Sequence, residues 1–416
     1  MKDHRGVVVL VGSGEERYRG YLVASAARTH PLWLLDVQEP TWQRAYVKGS
    51  QVVDIYNPDA LVAAIRQLAR YRPVLGVLCY HEGAVLAAAH ASAALGLPGA
   101  GPGAVANCRD KGATRRLLAA ASVPQPAFAL VSTPDEAARA ARSIGFPLVL
   151  KPRGLGASQG VIKVASAAEL SAAFQISRSA SQPGMPAFPD LLLEEFIDGP
   201  EISVDGALFD GVYRPLFIAH KRVGAAPYFE ETGHVVVAAD PLLADRAVLG
   251  TLTGAHAALG VKHGITHTEL KPTSRGAVLI EVNARLGGDL IPYLGWLATG
   301  IDPAGVALAL ATGRPARVVA THQGCAGIRF LYPPRDAVLR SATLPQAHPG
   351  RGLLEVGLLA QVGDTVRLPP GDYAARYGYL IATGKDASSC TASLDEAEAQ
   401  VRVEWDDLPS RLPEAS

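Results

Sequence analysis

Cysteine is scarce: the 416 residues hold four, Cys79, Cys108, Cys325 and Cys390, widely separated and without a C-x-x-C pair. That spacing excludes a disulfide framework and a zinc knuckle, and makes a reducing cytoplasm the expected setting. No sign of charge is in excess either, with 39 basic against 39 acidic residues. The net basic field with which a nucleic-acid binder meets its phosphates is therefore missing, and no nucleic-acid partner is expected. Long apolar runs are absent as well. The Ala-rich stretch 84–106 is interrupted by His90, two prolines and several glycines, and falls short of the ~20 unbroken apolar residues a membrane span needs. The run Val7 to Val11 is too short for a signal-peptide core and leads into Glu15, Glu16 and Arg17, so it reads as a first strand. No G-x-x-x-x-G-K-S/T segment occurs, which removes the Walker-type phosphate loop.

What is present describes a folded chain of several units. Hydrophobic residues make up 49% and charged ones 19%, with 42 glycines and 30 prolines, the composition of a compact α/β protein with many turns. The length suggests two to four domains. Residues 1–106 alternate apolar β-rich runs with helical patterns, the βαβ rhythm of a Rossmann-like parallel sheet. A linking helix follows over 107–122, with Asn107 as its expected N-cap. Residues 123–190 form a small β-α-β-β-α lid, 191–313 a block of antiparallel strands that serves as the catalytic floor, and 314–416 a small α+β cap. No repeat is visible.

The segments THTELK and VLIEVNAR carry the first chemical signal. Residues two apart on a strand share a face, so Glu281, Asn283 and Arg285 point one way while Ile280, Val282 and Ala284 point the other. Pairing the two strands through the turn at Ser274, Arg275 and Gly276 places Glu269 opposite Glu281. Like charges directly opposite cost ~0.2 to 1 kcal/mol, which a divalent cation would offset. Two carboxylates and an amide oxygen suit Mg²⁺. A solvated hairpin face balanced by Lys271 and Arg285 accounts for the same residues equally well.

The second signal is KPRGLGASQG, where Gly154, Gly156, Gly160 and Ser158 stand at a hairpin tip, open to a polyanion, with Lys151 at the strand end. A merely mobile loop is the alternative. Lys111 sits near the positive start of a helix. LLLEEFIDGPE runs an apolar strand into Glu194, Glu195, Phe196 and Ile197, then Glu201: backbone groups for an adenine edge and a carboxylate for ribose hydroxyls.

Over roughly residues 6 to 395 the segments NCRDKGATRRLLAAASVPQP, LVLKPRGLGASQGV, LLLEEFIDGPEISVDG and THTELKPTSRGAVLIEVNARLGGDLI, in that order, resemble the ATP-grasp superfamily. The resemblance implies ATP between two α+β domains, with Lys111 and Lys151 on the phosphates and 154–160 as the phosphate lid. It implies Glu194 to Ile197 at the adenine, Glu201 at the ribose, and Glu269, Glu281 and Asn283 on Mg²⁺, with Mn²⁺ as the alternative ion. Within the superfamily, RLGGDLIPYLGWLATGID, PYFEETGHVVVA and HEGAVLAAAHASAALGLPG look like the L-amino-acid ligases, which make dipeptides. That likeness puts Glu82, Glu231, His234 and Arg285 around the substrates, the two glutamates holding an ammonium.

The implied reaction is attack of a carboxylate on the ATP γ-phosphate, then of an amine on the resulting acyl phosphate. Arg285 and the N–H groups of Gly287 and Gly288 would stabilise the oxyanion, and His234 would position the amine or take its proton. The partners are small molecules, an amino acid or related carboxylate and an amine; a homodimer is allowed but not required. Other ATP-grasp ligases, or a non-catalytic ATP-binding regulator on the same fold, are the alternatives. A nicotinamide oxidoreductase ranks below them: VVVLVGSGEER has Gly12 and Gly14 and the next strand ends in Asp36, but Arg17 replaces the third glycine. His263 and His267 are four apart, yet their β-rich context argues against a zinc helix.

Overall fold

The computed structural model describes residues 6–182 and 184–408. What the sequence suggests for residues 1–5, Pro183 and 409–416 lies outside them. Strands Val7–Val11, Leu32–Asp36, Val47–Val52 and Val74–Cys79 form a parallel sheet in the spatial order third, second, first, fourth. Val7–Val11 is apolar at every position and buried throughout, as a strand covered by helices on both faces must be. Helix Pro58–Ala69 starts where the Asn57 side chain accepts from the Asp59 and Ala60 N–H groups, an N-cap strengthened by proline in the first turn.

The expected single linking helix is two helices, Pro102–Arg109 and Lys111–Ala120. Asp110 breaks them apart and caps the second, accepting from the Gly112 N–H at 2.9 Å. Asn107 is not the cap; it lies inside the first helix and donates to the Leu259 carbonyl.

A four-stranded antiparallel sheet follows, in the order Phe128–Val131, Leu191–Glu195, Leu148–Pro152, Ile162–Val164. Leu191–Glu195 is one of its inner strands, so the division expected at residue 190 separates a strand from the sheet it completes. Its first three residues, Leu191 to Leu193, are apolar and buried on both faces, which is why it reads equally well as part of the next unit.

The large sheet has eight strands. In order these are Gly276–Asn283, Gly264–Thr273, Glu201–Phe209, Val212–Gly224, Glu230–Val237, Cys325–Leu331, Gly378–Gly384 and Leu353–Leu358. Alternation sets its two faces: Ile218 packs against helix Arg246–Leu259, while Phe217 and Ala219 pack against helix Ile291–Thr299. Three of the strands come from beyond residue 313. The C-terminal region is therefore continuous with the catalytic sheet rather than a separate cap, apart from a three-stranded sheet of Thr365–Val366, Ala337–Thr343 and Arg402–Asp406. No single helix among the described residues is long and apolar enough to cross a membrane.

Candidate active site

Glu269 and Glu281 stand opposite each other on neighbouring strands, and His267 opposite Asn283. The register is reached by a different route from simple symmetry about Arg275. Thr273 pairs with Gly276 and Lys271 with Val278, a pairing that would set Glu269 against Ile280. A bulge between Glu269 and Leu270 adds one residue and restores Glu281. Strict alternation fails there: Ile280 and Glu281 both line the cleft, while Leu279 and Val282 stay fully buried in the core. Ile280 thus faces the chemical side, not the apolar side with Val282.

The cleft lies between the four-stranded and eight-stranded sheets and holds about 1360 Å³ of space, including its open mouth. Glu269, Glu281 and Asn283 all line it. The protein answers the two acids with cations of its own. Lys221, on strand Val212–Gly224, places Nζ 2.9 Å from Glu269, 2.8 Å from Glu201 and 2.8 Å from Glu231. Burial works against its charge, but the three carboxylates outweigh burial and hold its pKa well above the ordinary lysine value. Lys111 Nζ lies 3.2 Å from Glu281. His267 Nε2 lies 3.6 Å from Glu269. Burial lowers the pKa of His267, yet Asp205, which accepts from its Nδ1 at 2.6 Å, brings it up to about 9. For Glu269, burial is overcome by Lys221 and then His267, and the carboxyl stays well below its usual range. Two carboxylates and one amide oxygen, converging from adjacent strands where positive charge is already needed, fit a hard divalent cation.

At the other end, Lys151 Nζ is 2.6 Å from Glu194, and Arg115 Nε is 2.5 Å from the same carboxylate. Burial pulls the Lys151 pKa down against the pull of Glu194. The Glu194 side chain is therefore spent on holding Lys151 and Arg115 rather than on a base. The expected adenine strand is already engaged in part: the Glu195 and Phe196 N–H groups bond to the Ala127 and Pro147 carbonyls, and the Ile197 carbonyl accepts from Lys271 Nζ. Phe196 presents its ring to the cleft with Lys163 Nζ 3.8 Å from the centroid. Gly156 and Ser158 line the cleft, whereas Gly154 and Gly160 do not. A Cβ at Gly154 would meet the Pro186 carbonyl at 2.5 Å, so that glycine serves the packing of the loop. Lys111 Nζ donates to the Leu155 carbonyl at 2.6 Å and ties the loop to helix Lys111–Ala120.

The substrate end departs further from expectation. Glu82 is clasped by Arg109 and Arg285 and does not line the cleft. Burial raises its pKa, but Arg285 and then Arg109 bring it down to about 2. A carboxylate already claimed by two guanidinium groups is an anchor for Arg285, not an ammonium receptor. Glu231 does line the cleft. His234 does not; it is 1% exposed, with Nε2 3.1 Å from Glu231 and 3.6 Å from Asp289. Burial opposes its charge, but Asp289 and Glu231 raise its pKa overall. It is buried beside two carboxylates and off the cleft wall, so it does not face the amine as the sequence suggested.

Of the two glycines expected to donate to an oxyanion, Gly288 lines the cleft, but the Gly287 N–H is committed to Asp205 at 3.2 Å. A Cβ on Gly287 would fall 2.8 Å from His267 Nδ1. Gly287→Ala is expected to cost about 1–3 kcal/mol through this overpacking. Urea denaturation measures it, and wild-type stability would contradict the packing.

Sequence reasoning missed Lys221, Arg115, Arg376 and the Asp205–His267 pair. His267 could have been found, since it stands two residues before Glu269 on the same strand. His263 and His267 stand just before and within strand Gly264–Thr273 rather than on a helix, with His263 bonded to the Leu310 carbonyl and His267 to Asp205. Asp36, the residue that would read a dinucleotide ribose, accepts from both the N–H and the hydroxyl of Ser13, and that engagement weighs further against the oxidoreductase.

A cleft of this kind between a small lid sheet and a larger sheet defines an ATP-grasp protein. Residues 144–293 match the ATP-grasp domain and 34–99 the ATP-grasp N-terminal domain. Residues 329–406 match the L-amino acid ligase C-terminal domain 2, so the chain carries ATP-grasp domains followed by a C-terminal domain like that of the L-amino acid ligases. ATP-grasp carboxylate–amine ligases are ADP-forming. An uncharacterized protein of Sinorhizobium fredii is 29% identical over 97% of this chain and 84% of its own length. Alanine–anticapsin ligase of Bacillus subtilis is 32% identical, over 48% of this chain and only 46% of the relative. The chain thus aligns with less than half of that enzyme. The L-amino acid ligase of Bacillus licheniformis has the same fold, with a TM-score of 0.77, 21% identity and coverage of 97% of this chain and 99% of that one.

Proposed function

We propose that this chain joins an amino-acid carboxylate to an amine, using ATP and releasing ADP and phosphate through an acyl phosphate. The observation that carries the reading is the cross-strand pair Glu269 and Glu281 with Asn283, set in one cleft that Lys111, Lys151, Arg285 and Glu231 also line. Glu269, Glu281 and Asn283 would hold Mg²⁺, which supplies neutralisation of the charge that spreads over the transferring phosphoryl group. Lys111 and Lys151 bind the phosphates, with Gly156 and Ser158 closing over them. Glu201 takes the ribose hydroxyls. Arg285, held in place by Glu82, faces the carboxylate being activated and the oxyanion that forms when the amine attacks. Gly288 is the remaining backbone donor on that side, since Gly287 is engaged.

A coupled ADP-release screen over pairs of amino acids, with mass detection of condensed products, tests the proposal. The expected result is ADP release that requires a carboxylate and an amine together, with an amino acid as carboxylate donor. Strict dependence on bicarbonate or a ribosyl amine would move the chain to another ATP-grasp activity. ATP binding without turnover on any pair would make it a regulator.

A further inference from the structure

Arg153 stands at the root of the phosphate lid, directly after strand Leu148–Pro152 and before the glycine loop, and does not line the cleft. It is only 9% exposed, and its guanidinium grips two carboxylates from different parts of the chain. Nε and Nη2 donate to the two oxygens of Asp110 at 2.9 and 2.6 Å, and Nη1 donates to Asp190. The guanidinium carbon also lies 4.4 Å from the centroid of the Phe188 ring. Asp190 immediately precedes strand Leu191–Glu195 of the lid sheet, whereas Asp110 separates the two linking helices and caps Lys111–Ala120. A planar fork on a carboxylate fixes orientation as well as distance, so Arg153 locks the start of that helix against the lid sheet.

The lock extends to the backbone. The Lys111 N–H, one of the donors that a helix's first turn leaves without an internal partner, donates to the Arg153 carbonyl at 3.2 Å. Asp110 Oδ1 takes the Gly112 N–H at 2.9 Å as well as Arg153 Nε, and a Cβ at Gly112 would fall 2.6 Å from that Nε. Two residues beyond Arg153, the Leu155 carbonyl accepts from Lys111 Nζ at 2.6 Å. Lys111 is thus tied to the lid at both ends, by its backbone N–H and by its ammonium, and the same ammonium meets the floor at Glu281, 3.2 Å away. Although it precedes the lid in sequence, Lys111 is held as part of it.

We propose that Arg153 is a positioning residue for the nucleotide: through Asp110 it fixes Lys111 to the glycine loop, so that this lysine and residues 154–160 meet the ATP phosphates as one unit. This role rests on the assignment of Lys111 to the phosphates, and adds to it the residues outside the cleft, Arg153 and Asp110, on which that contact depends.

Calorimetry with Mg²⁺ and a non-hydrolysable ATP analogue reads the effect without turnover, and so decides it whichever substrates the protein joins. In Arg153→Ala the Kd is expected to rise about 10- to 100-fold, the scale of a displaced contact to a charged group. Asp110→Asn keeps an oxygen for the Gly112 N–H and loses the charge that grips the fork; it is expected to show a smaller rise in the same Kd, and it carries the test if the alanine variant does not fold. The decisive readout is a double-mutant cycle with Lys111→Ala. Because Arg153 acts through Lys111, either variant is expected to change the Kd by no more than about twofold once Lys111 is gone. A merely structural role would weaken binding equally in both backgrounds. Such additivity, or a Kd that neither variant changes while Lys111 is present, overturns the proposal. A parent-like Kd in Lys111→Ala alone would remove Lys111 from the phosphates, a failure of the underlying assignment that takes the role of Arg153 with it.

Discussion

Lys221→Met is expected to lower folding stability by about 3–5 kcal/mol at neutral pH, the scale of a buried ion group that loses one partner. Lys221 is buried, and its Nζ is shared among Glu201, Glu231 and Glu269, all within 2.9 Å. Methionine fills the space but leaves three half-buried carboxylates facing one another without their shared cation. The pH dependence follows from the direction of the shifts. Lys221 helps hold Glu231 and Glu269 below their ordinary pKa of 4.5, so its contribution is fully present above that unfolded value and is lost as pH falls below it through the depressed folded values. The part of the gap between variant and parent in urea denaturation that comes from these shifts should therefore persist at neutral pH and narrow only once pH falls below the ordinary carboxylate value of 4.5. A divalent ion held at Glu269 and Glu281, as proposed, would supply the missing charge, so Mg²⁺ with nucleotide should restore more stability to the variant than to the parent. Equal stability of the two proteins at neutral pH would mean the three acids do not converge.

Arg285→Ala is expected to reduce product formation about 10²- to 10³-fold, the usual loss on removing one donor to a developing oxyanion. The structure indicates that this loss will be chemical rather than a collapse of the fold. Glu82 keeps Arg109 as a partner when Arg285 is removed, so no buried carboxylate is stranded. Nucleotide binding, which the proposal assigns to Lys111 and Lys151, should be unchanged by calorimetry, while steady-state turnover falls. Near-parent turnover would remove Arg285 from the reaction.

The placing of Glu269 beside Glu281 was legible because a β-hairpin converts sequence distance from its turn into spatial opposition. The bulge was not, since nothing in VLIEVNAR marks which residue is extra, and so Ile280 was assigned to the wrong face. Lys221 was illegible for another reason: in HKRVG it reads as one of several charges at a strand end, and only the neighbouring strands reveal that three acids surround it. Arg376 lies 87 residues from Asp289, in a loop whose place in the cleft depends on C-terminal strands joining the eight-stranded sheet. Local pattern shows that such strands exist but not which edge they extend. Glu82 illustrates the converse, a residue correctly drawn to Arg285 whose charge Arg109 and Arg285 then consume.

The account stands on two acids that share a cation, and anomalous diffraction from crystals grown with Mn²⁺ and a non-hydrolysable ATP analogue tests that directly. The expected map places manganese between Glu269, Glu281 and the Asn283 amide oxygen, in contact with the analogue's phosphates. Manganese bound elsewhere, or a bound analogue with the two glutamates still held only by Lys221 and Lys111, would contradict it.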